Sequence, residues 1–224
     1  MKVTAISAAF AAVMGSAVAA DGLYVSGSLS GNSLGHEIDR NTVPDDFDPA
    51  AGTPPPSSFV TRSEDEGVGF GLAVGYERSI NSSFYWGAEA FYNTTDVSTQ
   101  NTNDVLITDI DIDATYGVRG ILGTNVSDTV QLYAHAGITQ VDFEINNSYT
   151  FAPPTRTRSD EDTAFSYGFG AAVAVSERVS VFGEYTQITD VDFNGIPEVA
   201  FDTGRVNDNT LDLSSVAIGV KFSF

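Results

Sequence analysis

Three aspartates at alternate positions, Asp109, Asp111 and Asp113, are separated only by Ile110 and Ile112. Carboxylates in such number can supply the hard oxygen ligands that calcium prefers. The turn glycine and terminal glutamate of a helix-loop-helix calcium site are missing, however. The triplet therefore stands as a weak divalent-cation candidate, against a plain acidic rim that attracts cations. Acid–base or nucleophilic chemistry has little to build on. The chain has two histidines and no cysteine, which excludes thiolate metal sites and cysteine nucleophiles. His36 has Ser33, Glu37 and Asp39 near it in sequence, and His135 stands alone in an apolar stretch. A catalytic histidine needs its partners within hydrogen-bonding reach, and neither setting specifies them. Isolated charges in otherwise apolar or small-residue surroundings are more informative: Glu77, Glu89, Arg119, Glu184 and Lys221.

The elements that must position these residues repeat with period two, the signature of β-strands. From Gly67 to Glu77, Val68, Phe70, Leu72, Val74 and Tyr76 share one face, and the other is mostly glycine and alanine. Eight such segments are predicted, at 22–31, 67–78, 84–94, 109–122, 129–142, 163–175, 179–189 and 210–224. Most exceed the ~5–6 residues usual in soluble sheets and approach the ~9–11 that cross a bilayer at a tilt. A soluble sheet would turn a polar face to water. Here the second face is small or weakly polar, which predicts bulk toward lipid and a tight polar lumen. The alternation breaks near Gln140–Val141 and Asp212–Leu213, where a β-bulge or emergence from the membrane is expected.

Short connections (79–83, 123–128 and 176–178) alternate with long ones (32–66, 95–108, 143–162 and 190–209). Short periplasmic turns and long extracellular loops are the layout of an outer-membrane barrel with both termini in the periplasm. Thr53-Pro54-Pro55-Pro56-Ser57-Ser58 forbids a regular strand inside the first long loop. Within the lumen, depth counted from the periplasmic ends pairs Glu89 with Arg119 and Glu184 with Lys221. The same phase turns His135 and the three aspartates inward, the latter near the outer mouth.

The first twenty residues are expected to be a cleaved secretory signal: basic Met1-Lys2, an apolar run to Gly15, then Ser16-Ala17-Val18-Ala19-Ala20. Residues 21–224 are then one barrel domain. The net charge of −20 makes nucleic acid an improbable partner. Of the 30 acidic residues, 23 lie in 32–66, 93–113, 142–162 and 190–209. The charge thus sits in an outer crown, and the membrane strands are nearly neutral.

The chain stops at Val216-Ala217-Ile218-Gly219-Val220-Lys221-Phe222-Ser223-Phe224. A terminal phenylalanine closing an alternating apolar strand resembles the assembly signal of Gram-negative outer-membrane proteins. Over residues 21–224 the sequence resembles the small eight-stranded barrels of the OmpA transmembrane-domain, OmpX and opacity-protein type. The resemblance implies an all-β, eight-stranded antiparallel up-and-down transmembrane β-barrel in the cell outer membrane. It implies Phe222 and Phe224 as the signal read by the barrel-assembly machinery, with periplasmic chaperones during biogenesis. Lipid and lipopolysaccharide are the expected lasting partners. The expected protein is a monomer without cofactor or enzymatic activity. Its expected role is structural and surface-exposed, with envelope integrity and loop contacts as its tasks. The alternative is a narrow cation-preferring, porin-like channel, although eight strands leave an interior just wide enough for side chains.

Overall fold

The computed structural model describes residues 21–42, 57–102, 106–149, 152–192 and 205–224. The predicted signal sequence lies outside these, as do Thr53 to Pro56, whereas Ser57 and Ser58 of the stretch expected to forbid a strand open the second strand, since the proline restriction ends with Pro56. Eight strands follow one another: β1 Gly22–Thr42, β2 Ser57–Ser79, β3 Phe84–Thr102, β4 Leu106–Asn125, β5 Val130–Tyr149, β6 Ala152–Ala174, β7 Val179–Asp192 and β8 Arg205–Ser223. Each pairs antiparallel with its sequence neighbour, and β8 pairs with β1 to close the barrel. The seam is fastened at its very end, where the Phe224 N–H donates to the Leu23 carbonyl at 3.0 Å. Closure matters physically because an open sheet edge has no hydrogen-bond partner in hydrocarbon.

All eight expected strands are present, but they run farther than the sequence reading allowed. Much of what was expected as long loop is paired strand. β1 and β2 stay in register from Gly22↔Glu77 to Thr42↔Ser57, and β5 and β6 pair from Val130↔Val173 to Tyr149↔Ala152. The outer halves resemble loops in the sequence because their side-chain polarity is reversed. In the lower half, Leu29, Leu72, Leu122, Phe169 and Ile218 point outward and are exposed. In the upper half the apolar residues turn inward. Leu34, Ile188, Val191 and Leu213 come from one side of the barrel and Val97, Ile110, Ile112, Val141, Phe143 and Ala164 from the other, forming one buried cluster. Outside lipid, the wall must face water and the core must be apolar, as in a soluble sheet.

The inversion explains the two irregularities in the sequence. On β5, His135, Thr139, Val141 and Phe143 are all buried at alternate positions, so the strand keeps its phase through Gln140–Val141. On β8, Leu213 and Gly219 are likewise both buried, with no slip at Asp212–Leu213. Emergence from the membrane is the cause at both places. The bulges lie on neighbouring strands: the β7–β8 register shifts between Ile188 and Val191, opposite Leu213 and Leu211. The β3–β4 register shifts between Thr94 and Val97, and the β4–β5 register between Ile112 and Ala114. Asp113 is the extra residue there, and it flips the phase of β4.

Candidate functional site

The lumen site is carried by alternate residues of the membrane-level strands, all inward on a wall whose outer face is apolar. Its centre is Arg119 on β4. The guanidinium lies 2.6 Å from Glu89 Oε1 on β3 and 2.7 Å from Glu184 Oε1 on β7. Both carboxylates are held by more than the cation. Arg119 Nε also donates to Glu89 Oε1 at 2.7 Å, and Nη2 to Glu184 Oε2 at 3.1 Å. Tyr24 donates to Glu89 Oε2 at 2.7 Å, and Tyr133 to Glu184 Oε2 at 3.0 Å. The guanidinium also lies 5.3 Å from the centre of the Phe91 ring. A planar five-donor fork can serve two carboxylates at once, which a lysine ammonium cannot do with the same geometry.

A second ion pair lies nearer the turns. Lys221 Nζ donates to both oxygens of Glu77 at 2.9 Å and sits 5.1 Å from the centre of the Tyr24 ring. The expected contact between Glu89 and Arg119 is thus present, whereas Glu184 and Lys221 are not joined. Counting depth along each strand ignores the shear of a closed barrel and the narrowness of its lumen. Lys221 reaches past β1 to β2, while Glu184 meets Arg119 across the interior. His135 is buried as expected, with Nε2 3.7 Å from Glu184 Oε1 and 3.4 Å from Arg119 Nη1. Tyr24 and Tyr133 were not singled out from sequence, although each occupies an inward position of its alternating strand. Their rings lie over Gly75 and Gly170 of the neighbouring strands, where a Cβ would collide with them.

Above Arg119 a small cavity of about 60 Å³ is lined largely by hydroxyl and amide groups, among them Ser26, Ser28, Ser30, Asn32 and Thr115. Above that, the apolar cluster fills the barrel. From turns to mouth the axis therefore meets an ion-pair lattice, a small polar chamber and a dry apolar layer.

The aspartate triplet lies elsewhere than expected. Ile110 and Ile112 are buried in the core cluster, so Asp109 and Asp111 point to the outer wall, and Asp113 is exposed at the bulge. The sequence reading carried the membrane phase upward past the point where β4 flips. On the wall, Asp109 Oδ1 accepts from Gln100 at 2.7 Å. Asp111 stands opposite Glu144, and Asn146 donates to Glu144 at 3.0 Å and to Asp111 at 3.5 Å. Among the described residues, no group of three or more metal-ligating side chains is arranged to hold an ion. Burial, reinforced by Asp109, Asp113 and Glu144, raises the Asp111 carboxyl above its ordinary value, against the lowering hydrogen bond from Asn146. A raised folded-state value means that the folded chain takes up the proton first, so stability rises as pH falls through that value. Asp111→Asn is expected to unfold at slightly higher urea than the parent at pH 7. The difference should vanish by about pH 3, where both carboxyl forms are protonated; a variant less stable at pH 7 would contradict this reading.

The side chain of His36 and its surroundings lie outside the described residues. Phe222 and Phe224 face outward, with ring centres 5.3 Å apart at the turn end.

A closed antiparallel barrel with an apolar membrane-level exterior and a filled polar lumen defines a small integral outer-membrane barrel. The chain belongs to the outer membrane protein beta-barrel domain family, whose model matches residues 3–224. Among solved structures it is similar to Ail, the attachment invasion locus protein of Yersinia pestis. That one has been crystallised with the heparin analogue sucrose octasulfate (14% identity, 87% of this chain and 99% of that one, TM-score 0.39). It is also similar to Neisserial surface protein A (11% identity, 90% and 97%, TM-score 0.48). A third is the outer membrane protease OmpT from Escherichia coli (10% identity, 91% and 97%, TM-score 0.48). No curated protein matches the sequence.

Proposed function

We propose that this protein is a non-conducting, non-enzymatic structural barrel that holds an acidic, strand-built surface above the outer membrane. The observation that carries this reading is the double closure of the lumen. The Arg119 lattice ties strands on three sides of the barrel together, and the apolar cluster above it offers a hydrated ion no polar partner. An ion crossing that layer would shed water without replacement, at a cost far above thermal energy. Cation selectivity at an aspartate rim loses its basis, because Asp109 and Asp111 line the outer wall.

The acidic wall rises from the level of the lipid headgroups. There it would attract divalent cations loosely and through them meet lipopolysaccharide phosphates. Phe222 and Phe224 would serve recognition by the assembly machinery. The refolded protein in planar bilayers should give no lasting conductance steps above baseline in 1 M KCl. Reproducible, cation-selective openings would favour the channel alternative and overturn the proposal.

A further inference from the structure

Below the apolar cluster the lumen does not balance its charges. Among the described residues, Glu77, Glu89 and Glu184 are buried there against Arg119 and Lys221, each with a side chain 12% exposed or less. Lys221 answers Glu77, and Arg119 is shared between the other two. Tyr24, Tyr133 and Thr186 also donate to those two carboxylates, which satisfies lone pairs but cancels no charge. His135 adds a charge only when protonated. One unit of negative charge is left in a low-dielectric interior, where an unanswered ion is strongly unfavourable.

The chamber above Arg119 has the groups to answer it. Its volume of about 60 Å³ holds about four water-sized bodies. Arg119 and Glu184 line it on the lattice side, and hydroxyls and amides line most of the rest. Both amides spend their nitrogens on threonines: Asn32 Nδ2 donates to Thr95 Oγ1 at 3.0 Å and Asn93 Nδ2 to Thr115 Oγ1 at 3.4 Å. Asn93 Oδ1 is left as an acceptor, and with Ser28 Oγ it stands over Gly71, where a Cβ would collide with both. Arg119 aims its donors at Glu89 and Glu184, so the chamber offers an anion no spare cation.

We propose that this chamber binds one alkali-metal cation of sodium or potassium size, held by side-chain hydroxyl and amide oxygens and a few waters. The ion supplies the charge missing from the Arg119 lattice. Hard cations accept neutral oxygens in place of water. A divalent ion fits less well: it would overshoot the single charge, and the carboxylates it prefers as ligands are taken by Arg119. Binding rests on the charge and the oxygens, whether or not the lumen conducts. Closure at both ends governs only how fast the ion exchanges.

The test unfolds the full refolded chain with urea in uncharged lipid vesicles, sodium or potassium chloride replacing N-methylglucamine chloride at constant ionic strength. One ion bound only by the folded state should lower the unfolding constant about tenfold for each tenfold rise in the fitting ion, once the site is filled. Glu89→Gln, which neutralises the lattice, should flatten that dependence, and so should Ser28→Val/Asn93→Leu, which strips oxygens from the chamber. Parent crystals grown in rubidium or thallium(I) salts locate the ion without a variant, by an anomalous peak inside the chamber. Unfolding that is the same in all three salts would overturn the proposal. So would peaks confined to the outer wall, or an equal ion dependence in the parent and Glu89→Gln, either of which would place the ions on the acidic crown. An imidazolium at His135 by nitrogen NMR at pH 7, with no ion dependence, would give the missing charge to that residue and overturn it too.

Discussion

Arg119→Leu is expected to lower the folding stability of the barrel by about 3–5 kcal/mol, because it strands two buried carboxylates without a cation. Glu89 and Glu184 have side chains only 5% and 8% exposed, so water cannot replace the guanidinium. Tyr24 and Tyr133 each donate one bond, which leaves most of the charge unanswered. Arg119→Lys should recover only part of the loss, since a point ammonium cannot repeat the fork that reaches both carboxylates. The combined variant Glu89→Gln/Arg119→Met/Glu184→Gln should lie much closer to the parent, because a neutral trio leaves no unpaired charge. Urea unfolding in lipid vesicles, followed by tryptophan fluorescence, checks the series. A single variant as stable as the parent would show that the lattice is not a stabilising unit.

Phe143→Ala should cost about 3–5 kcal/mol, whereas Glu144→Ala beside it should stay within about 0.5 kcal/mol. Phe143 is 4% exposed and belongs to the apolar cluster that fills the outer barrel, while Glu144 faces water on the wall. The contrast tests the reversal of polarity directly. At membrane level on the same strand, the outward Ile138 is the apolar residue and the inward Thr139 is polar. Equal effects at positions 143 and 144 would mean that the upper strands are not packed as described. The phenylalanine variant should also loosen the dry layer, so its bilayer currents are worth recording beside those of the parent.

The sequence made the membrane-level barrel legible because one rule dominates there, bulk outward and small or polar inward, with Tyr85, Phe91, Ile121 and Phe182 as inward exceptions. Val68 to Tyr76 and Val216 to Phe224 follow it without exception. The rule fails above the bilayer because the solvent changes, not because the strand ends. Leu34, Val141 and Leu213 obey the opposite rule on strands whose geometry is unbroken, and they looked like slips. The Asp113 bulge is different: one inserted residue flips β4, and nothing in Asp109–Asp113 alone distinguishes outward aspartates from inward ones. The lumen charges were all legible as inward, but their pairing was not. Which carboxylate meets which cation depends on the shear of the closed sheet and on reach across the lumen. Neither is written along a single strand.

The level at which the outward residues change from apolar to polar is nearly the same on strand after strand: Leu29 to Ser33, Val68 to Glu66, Ile138 to Gln140, Val216 to Ser214. From Val216 to Phe224 the apolar wall of β8 spans about 27 Å of strand at ~3.4 Å per residue. A tilt of about 40° reduces this to about 21 Å along the membrane normal. The protein thus carries its own waterline, and it matches a thin bilayer better than a thick one. Moved into a thicker membrane, it would have to pull the lipid down around itself or submerge the acidic wall above Ser33 and Ser214. The steepness of that polarity boundary would resist vertical drift in either direction.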